Sequence, residues 1–454
     1  MAKSKRAARA LQIAVVGGGW AGCAAAVELA RAGHGVTLFE ASRTLGGRAR
    51  RVALDAGVLD NGQHILLGAY SETLRLLKLV GVEPRRALLN LPLQMRYPPG
   101  SGGMDFVAPR WPAPLHLAAA LLRAKGLARA DKLALARFSS TARWMGWQLH
   151  QDCSVSELLE RYDQTARLNQ LMWRPLCLAA LNTPPERASA QVFLSVLRDS
   201  LGAKRAASDM LLPKVDLSAL FPDAAAAFAV RHGASVLTGA TVTGLRQLDG
   251  GRWQVEARGE AAGGAFDGVV LASPAAHAAQ VLENLQDPAT SSIATQLQAF
   301  ETEAISTCYL QYAPGLRLEQ AFFALVDAPA AGHWGQFVFD RGQLDATQPG
   351  LLAVVVSASG AAAAQGQTAL AEAIARQLAE VFRRPELASP AWSRLITDKR
   401  ATFACTPGLS RPGNATGLPG LTLAGDYTAS DYPATIEAAV RSGVLAAADY
   451  GAAP

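Results

Sequence analysis

The chain has 454 residues, half of them hydrophobic and only 18% charged, which fits a large folded globular protein and excludes a disordered, fibrous or disulfide-stapled one. Its net charge of +6 owes four positives to Lys3, Lys5, Arg6 and Arg9, a run without an acid. Such a tail suits an anionic lipid surface, and with no basic stripe interleaved with aromatics the sequence offers no nucleic-acid site.

The tail passes straight into the apolar strand Ile13 to Val16, with no separate apolar region and cleavage site of a secretory signal, so a cytoplasmic location is expected. That strand runs into Gly17-Gly18-Gly19-Trp20-Ala21-Gly22 and then a helical run, Cys23 to Arg31, with Ala26, Leu29 and Ala30 on its inward face. This is the Gly-x-Gly-x-x-Gly spacing of a dinucleotide-binding turn. Gly17 permits the reversal, Gly19 leaves room for a pyrophosphate, Gly22 lets helix and strand pack closely, and the helix start at Trp20 and Ala21 faces the phosphates. After the turn Ala32 to Gly35, a second strand ends in Glu40, 23 residues beyond Gly17, placed to accept ribose hydroxyls.

Leu45-Gly46-Gly47-Arg48 follows that acid. Together these segments resemble the extended fingerprint of the flavin-containing amine oxidase and phytoene desaturase superfamily. The resemblance implies an α/β fold: a Rossmann-like FAD-binding domain of the amine oxidase and phytoene desaturase type with an interleaved α+β substrate domain. It implies FAD as cofactor, with Gly46, Gly47 and Arg48 closing over the pyrophosphate, where a guanidinium offers fixed donors to two oxygens. It also implies that Asp60 to Gly68 passes the isoalloxazine.

Further along, Leu115 to Leu122 and Lys132 to Phe138 are alanine- and leucine-rich helical patterns joined around Lys125-Gly126. They read as core, although Trp111, Leu115, Leu121, Leu122, Arg123 and Lys125 would also suit a helix lying on a membrane. Gly233 to Val242 has a strand pattern, followed by a hairpin through Asp249-Gly250-Gly251 and by Phe266 to Pro274. The superfamily places these strands, Val242 among them, around the adenine. Ile305 to Tyr312 and Leu351 to Ser357 are strands and Thr368 to Phe382 a helix, as in a sheet roofing a cavity.

The C-terminal part carries Leu418 to Asp426, a turn and short strand ending in Gly-Asp, then a helix start across Tyr432 to Val440. By resemblance, Gly425 and Asp426 meet the ribityl chain, and the helix start at Ala434 and Thr435 points at the side of the flavin where reduction builds negative charge. The expected division is a discontinuous FAD-binding domain (10–90, 217–290 and 400–454) and a substrate domain with membrane-docking helices (91–216 and 291–399). No apolar run is long enough to span a bilayer. Cys23, Cys153, Cys177, Cys308 and Cys405 lack Cys-x-x-Cys spacing, so neither a disulfide framework nor a metal site is expected, and FAD is expected to bind without a covalent link at Cys405.

Two internal segments are more specific. Trp173 to Ala190 and Asp209 to Ser218 closely resemble the hydroxysqualene dehydroxylase family of bacterial hopanoid biosynthesis, and Asp60 to Gly68, Lys399 to Phe403 and Gly425 to Thr428 match it too. That resemblance implies hydroxysqualene as substrate and squalene as product, with water lost from an allylic alcohol and hydride delivered by reduced flavin. Partners would be the neighbouring hopanoid-pathway enzymes and an electron donor that one dinucleotide fingerprint does not identify. So apolar a substrate implies a peripheral position on the inner membrane face.

A proton donor is then required. His64, beside Gln63 in the flavin-facing segment, is the first candidate, followed by Asp60 and Glu437. His34, His116, His232, His277 and His333 have no partnered spacing and read as structural. Two alternatives share the fold: a carotenoid-type desaturase taking hydride from a polyene, and a prenyl-lipid carrier without catalysis. Glu40, Arg48 and Asp426 together argue against the carrier.

Overall fold

The computed structural model describes residues 10–54, 57–258 and 264–451, so the basic tail with Lys3, Lys5, Arg6 and Arg9 lies outside the described residues. Five parallel strands form the central sheet in the order Ser235–Thr238, Gly35–Glu40, Gln12–Val16, Gly268–Leu271, Leu421–Leu423. Covered on both faces, parallel strands read as unbroken apolar runs, and Ile13 to Val16 and Gly268 to Leu271 are buried throughout. The sheet thus draws its strands from three separate stretches of the chain.

The first helix, Trp20–Arg31, is buried from Trp20 to Ala30, more completely than the one inward face of Ala26, Leu29 and Ala30 implied. The reason is a second layer: helices Pro222–Arg231 and Ile436–Ala448 pack onto it. The latter crosses so closely that a Cβ at Gly443 would stand 2.1 Å from Ala21 O.

Gly233 to Val242 forms two strands instead of one. The chain breaks at Gly239, whose φ of +70° favours glycine. Ser235–Thr238 stays in the parallel sheet, while Thr241–Gln247 turns away to pair antiparallel with Trp253–Arg258.

A five-stranded antiparallel sheet, ordered Phe322–Ala324, Phe337–Asp340, Leu351–Ser357, Thr302–Gln311, Trp392–Phe403, is backed by helix Gln367–Phe382. A smaller sheet joins the two halves, since Met210–Pro213 pairs with both Leu66–Leu67 and Leu88–Leu91. The expected boundary at 90/91 therefore falls inside a strand.

The segment Trp173 to Ala190 opens with a π-helical turn, Asn169–Trp173, running into helix Arg174–Leu181. Pro175 explains part of this: it has no N–H to give Leu171 O, and that carbonyl accepts from Tyr97 Oη at 2.8 Å instead. Met172, Trp173 and Leu176 are thereby turned onto a cavity wall.

Candidate active site

The dinucleotide turn is set by backbone sterics. Gly17 has φ +111° and a Cβ there would lie 2.6 Å from Ala272 O, while one at Gly22 would lie 1.8 Å from Gly17 O. Gly19 differs: an added Cβ would meet nothing nearer than the Cα of Gly47, at 3.8 Å. Its missing side chain leaves open space. The first helical amide to find a main-chain partner is that of Cys23, on Gly19 O, so the amides at the helix start remain for a ligand. Gly46 and Gly47, with φ +116° and +61°, bring their loop onto this turn, where Gly46 N donates to Gly18 O at 2.8 Å. An open cradle lined by amides fits a pyrophosphate.

Trp20 contributes by packing: its indole N–H donates to Ala49 O at 2.9 Å and its ring lies 5.1 Å from that of Phe221. Only its main chain and that of Ala21 belong to the helix start. Glu40 accepts from Gly18 N and Ser42 N, each at 2.7 Å, which fixes the carboxylate at the end of its strand. Ala240 N donates to Glu40 O, bringing buried Val242 to the same end of the sheet.

The two remote motifs meet directly. Arg48 Nη2 donates to Asp426 Oδ1 at 2.5 Å and its Nη1 to Ala401 O at 2.6 Å. The Asp426 charge pushes the Arg48 pKa up, so the guanidinium keeps its charge. Gly425 N donates to Ser442 Oγ, tying the strand end to the C-terminal helix. That helix begins at Ile436, later than Tyr432 to Val440 implied, with Thr435 Oγ1 as cap accepting from Ala438 N at 3.2 Å and Ala434 just ahead.

The three candidate acids have unlike surroundings. Asp60 is buried; its Oδ1 accepts from Leu217 N at 2.8 Å, and desolvation pushes its pKa up to about 6. Glu437, 1% exposed, accepts from Glu72 N, Thr73 N, Thr73 Oγ1 and Arg441 Nε. Its carboxylate sits at the start of helix Ser71–Leu79 and supplies the acceptors which that helix's own residues do not. His64 is half-buried, and its Nδ1 lies 2.8 Å from Gly62 O. A carbonyl only accepts, so Nδ1 carries the hydrogen and Nε2 of the neutral ring is an acceptor. Burial pushes the imidazole pKa down, against the Gly62 bond and with help from the Arg48 charge.

Five other histidines hold structural bonds or packing positions. His277 Nε2 meets Val242 O, His34 Nδ1 accepts from Leu11 N, His232 Nδ1 donates to Phe228 O and His333 pairs with Glu380. His116 is buried. All five cysteines are free, and Cys405 is buried with its thiol pushed up to about 12, chiefly by desolvation. Among the described residues, no cluster of three His, Cys, Asp or Glu side chains gathers as metal ligands.

A cavity of about 650 Å³ runs from Ile65, Pro433 and Thr435, at the start of the C-terminal helix, to Leu117, Leu121 and Trp144 on helices Leu115–Arg123 and Arg129–Trp144. Its walls are mostly aliphatic and aromatic. At the far end the two helices carry exposed apolar side chains, Trp144 at 88% and Leu122 at 76%, with Leu115, Leu133 and Trp111 beside them. Residues 110–144 hold seven Lys or Arg and one acid, Asp131, which is buried. Within that face Arg123 lies 5.0 Å from the Trp111 ring. Among the described residues no helix is long and apolar enough to cross a membrane. Reasoning from sequence missed Trp144, Asp199 and Tyr432, because each joins the cavity only through tertiary packing.

The Flavin containing amine oxidoreductase family matches residues 20–449. The chain is similar to "Hydroxysqualene dehydroxylase" of Rhodopseudomonas palustris, 31% identical over 95% of this chain and 96% of the relative. It is also similar to that of Sinorhizobium fredii, 28% identical over the same shares. Among solved structures, cyclohexylamine oxidase from Brevibacterium oxydans superposes with a TM-score of 0.68 at 18% identity, covering 97% of this chain and 99% of the other. A putative protoporphyrinogen oxidase from Exiguobacterium gives 0.67 at 17%, covering 97% and 98%. With the cradle and the whole length both matched, the chain belongs to the flavin-containing amine oxidoreductases, as an FAD-dependent oxidoreductase alongside the hydroxysqualene dehydroxylases.

Proposed function

We propose that the protein reductively removes the hydroxyl of hydroxysqualene to give squalene, within hopanoid biosynthesis. The observation that carries this reading is the apolar cavity joining an exposed cationic face to the start of the C-terminal helix, in a chain similar along its length to hydroxysqualene dehydroxylases. When bound, reduced FAD would supply a hydride, the two electrons of the reduction, to the carbon, while the alcohol oxygen takes a proton and leaves as water.

The chain's own residues divide the work. The amides at Gly19 to Gly22 and the second glycine pair hold the pyrophosphate, Glu40 the ribose and adenine side near Val242, and Asp426, steered by Arg48, the ribityl chain. Gly425, Ala434 and Thr435 set the strand end and helix start that face the ring. The cavity walls exclude water from the reacting carbon. His64 reaches the flavin-facing segment, and donation from its Nε2 requires the imidazolium, a form that burial disfavours. Asp60 and Glu437 serve to hold Leu217 and the helix at Ser71. The division into 10–90, 217–290 and 400–454 against 91–216 and 291–399 follows the cradle and the cavity, with the strand at 88–91 shared.

The exposed face of residues 111–144 would rest on the cytoplasmic leaflet, its cations toward anionic headgroups. An external reductase or quinone would reduce the flavin, and neighbouring pathway enzymes would deliver the alcohol and take the hydrocarbon.

Anaerobic single turnover of pre-reduced enzyme with hydroxysqualene tests the reading. One squalene per flavin is expected, and a product with an added double bond, or none, overturns it. If His64 is the acid, the rate falls as pH rises through a value below 6.5; a rate flat from pH 5 to 8 removes it from the chemistry.

A further inference from the structure

Among the polar side chains on the cavity wall is a hydrogen-bonded pair of carboxylate and phenol outside the cofactor motifs. Helix Ala190–Ser200 brings Asp199 to this wall, and the loop ahead of Thr435 brings Tyr432. Tyr432 Oη donates to Asp199 Oδ2 at 2.6 Å, and Arg198 Nε donates to Asp199 Oδ1 at 2.7 Å. Among the described lining residues Asp199 is the only carboxylate and Arg143 the only cation. Arg441 lies against the Tyr432 ring, 5.1 Å from its centre, and is itself fixed on Glu437 and on Ser71 Oγ.

The hydrogen bonds give this pair a definite polarity. Burial pushes the Asp199 carboxyl up, but the bonds from Arg198 and Tyr432 outweigh it and hold the group below its ordinary value. Burial and the bond with Asp199 push the Tyr432 phenol up to about 12, so it keeps its proton at neutral pH. That single proton is committed to Asp199. The remaining lone pairs on Tyr432 Oη are acceptors on a mostly apolar wall, where a donor on the ligand can meet them.

We propose that Tyr432 and Asp199 form a carbinol-binding site: the hydroxyl of an otherwise apolar isoprenoid donates to Tyr432 Oη, and Asp199, with Arg198 behind it, orients the phenol for that contact. Tyr432 is the contacting residue and Asp199 a positioning residue. The inference rests on the reading above that the substrate is a hydroxylated isoprenoid. It extends that reading by supplying a basis for telling substrate from product, because the hydrocarbon has no donor to offer and leaves Oη unpaired. Held by the pair, the hydroxyl-bearing carbon lies at the end of the cavity where the C-terminal helix begins.

Equilibrium binding to the oxidised holoenzyme, where no turnover occurs, provides the test. Hydroxysqualene and squalene are titrated separately in detergent, and flavin absorbance and tryptophan fluorescence are followed. The native protein is expected to bind the alcohol about tenfold or more tightly than the hydrocarbon. Tyr432→Phe and, independently, Asp199→Asn are expected to bring that ratio near one, with squalene affinity, bound FAD and melting temperature unchanged. A purely structural latch between helix and loop would instead weaken both ligands together and keep the ratio. An unchanged ratio in Tyr432→Phe overturns the site, and one in Asp199→Asn overturns the positioning role. Equal binding of both ligands by the native protein overturns the carbinol site alone, whereas binding of neither overturns the substrate reading as well.

Discussion

At the cofactor cradle, the atoms presented to a ligand are main-chain amides and glycine carbons from residues 17–22 and 46–47; at the cavity they are side-chain carbons from many separate helices and strands. The first surface is specified by what cannot be there, since a single methyl group at Gly17 or Gly22 collides with main chain. The second is specified by shape, with a few polar side chains such as Asp199 and Tyr432 set into an apolar wall. A surface of backbone tolerates almost no substitution, whereas a surface of side chains can be retuned for another substrate while the fold persists. That contrast accounts for close superposition on oxidases at under 20% identity.

The contrast breaks most sharply at two glycines. Gly19→Ala should leave a folded protein whose FAD affinity falls on the order of a hundredfold, because its methyl group occupies the cofactor's space and touches little else. Gly22→Ala should fail to give folded protein at all, since the intruding Cβ meets backbone that cannot retreat. Flavin content and melting temperature, measured on both variants, check this. Equal behaviour of the two would mean that cradle and fold are not separable.

A second test asks whether Asp60 belongs to either surface. Its pKa is raised to about 6, so the folded state holds the proton more tightly than the unfolded chain, and the associated stability is present at low pH and lost as pH rises through that value. Asp60→Asn keeps an acceptor for Leu217 N and should be more stable at pH 7.5 by roughly 2–3 kcal/mol, with no difference near pH 4. Urea denaturation at the two pH values reads it. Destabilisation at both would show that the ionised carboxylate is required.

The smallest effect is expected at the cavity mouth. Leu122→Asp combined with Trp144→Asp should weaken binding to anionic vesicles about tenfold at low salt and leave FAD content unchanged. Cosedimentation across a salt series measures this, and undiminished binding would move the docking surface elsewhere.

Much of the cradle was legible in the sequence because each of its requirements is local: a glycine for a tight turn, an acid at a strand end, an arginine after a glycine pair. The Arg48–Asp426 contact was legible only as two motifs assigned to one cofactor, and the structure makes them direct partners. The cavity was not legible in this way. Leu133 reads as part of one more helical pattern, Trp144 lies beyond it, and only packing shows which face the core leaves exposed. For Glu437, a carboxylate beside the flavin-facing helix in the sequence, only packing shows the donors of helix Ser71–Leu79 around it. The broken strand at Gly239 was missed because a β-rich run does not reveal which sheet each half will join.

The order of strands in the central sheet has a consequence for synthesis. Strand Gly268–Leu271 sits between the first strand of the chain and Leu421–Leu423, and the dinucleotide helix is covered by Ile436–Ala448. A growing chain therefore emerges with its nucleotide-binding turn early and the pieces that cover it very late. The edge of Gly268–Leu271 stands uncovered until Leu421–Leu423 emerges, and a face of helix Trp20–Arg31 until Ile436–Ala448 does, an opening for premature aggregation that chaperone occupancy on the nascent chain would register.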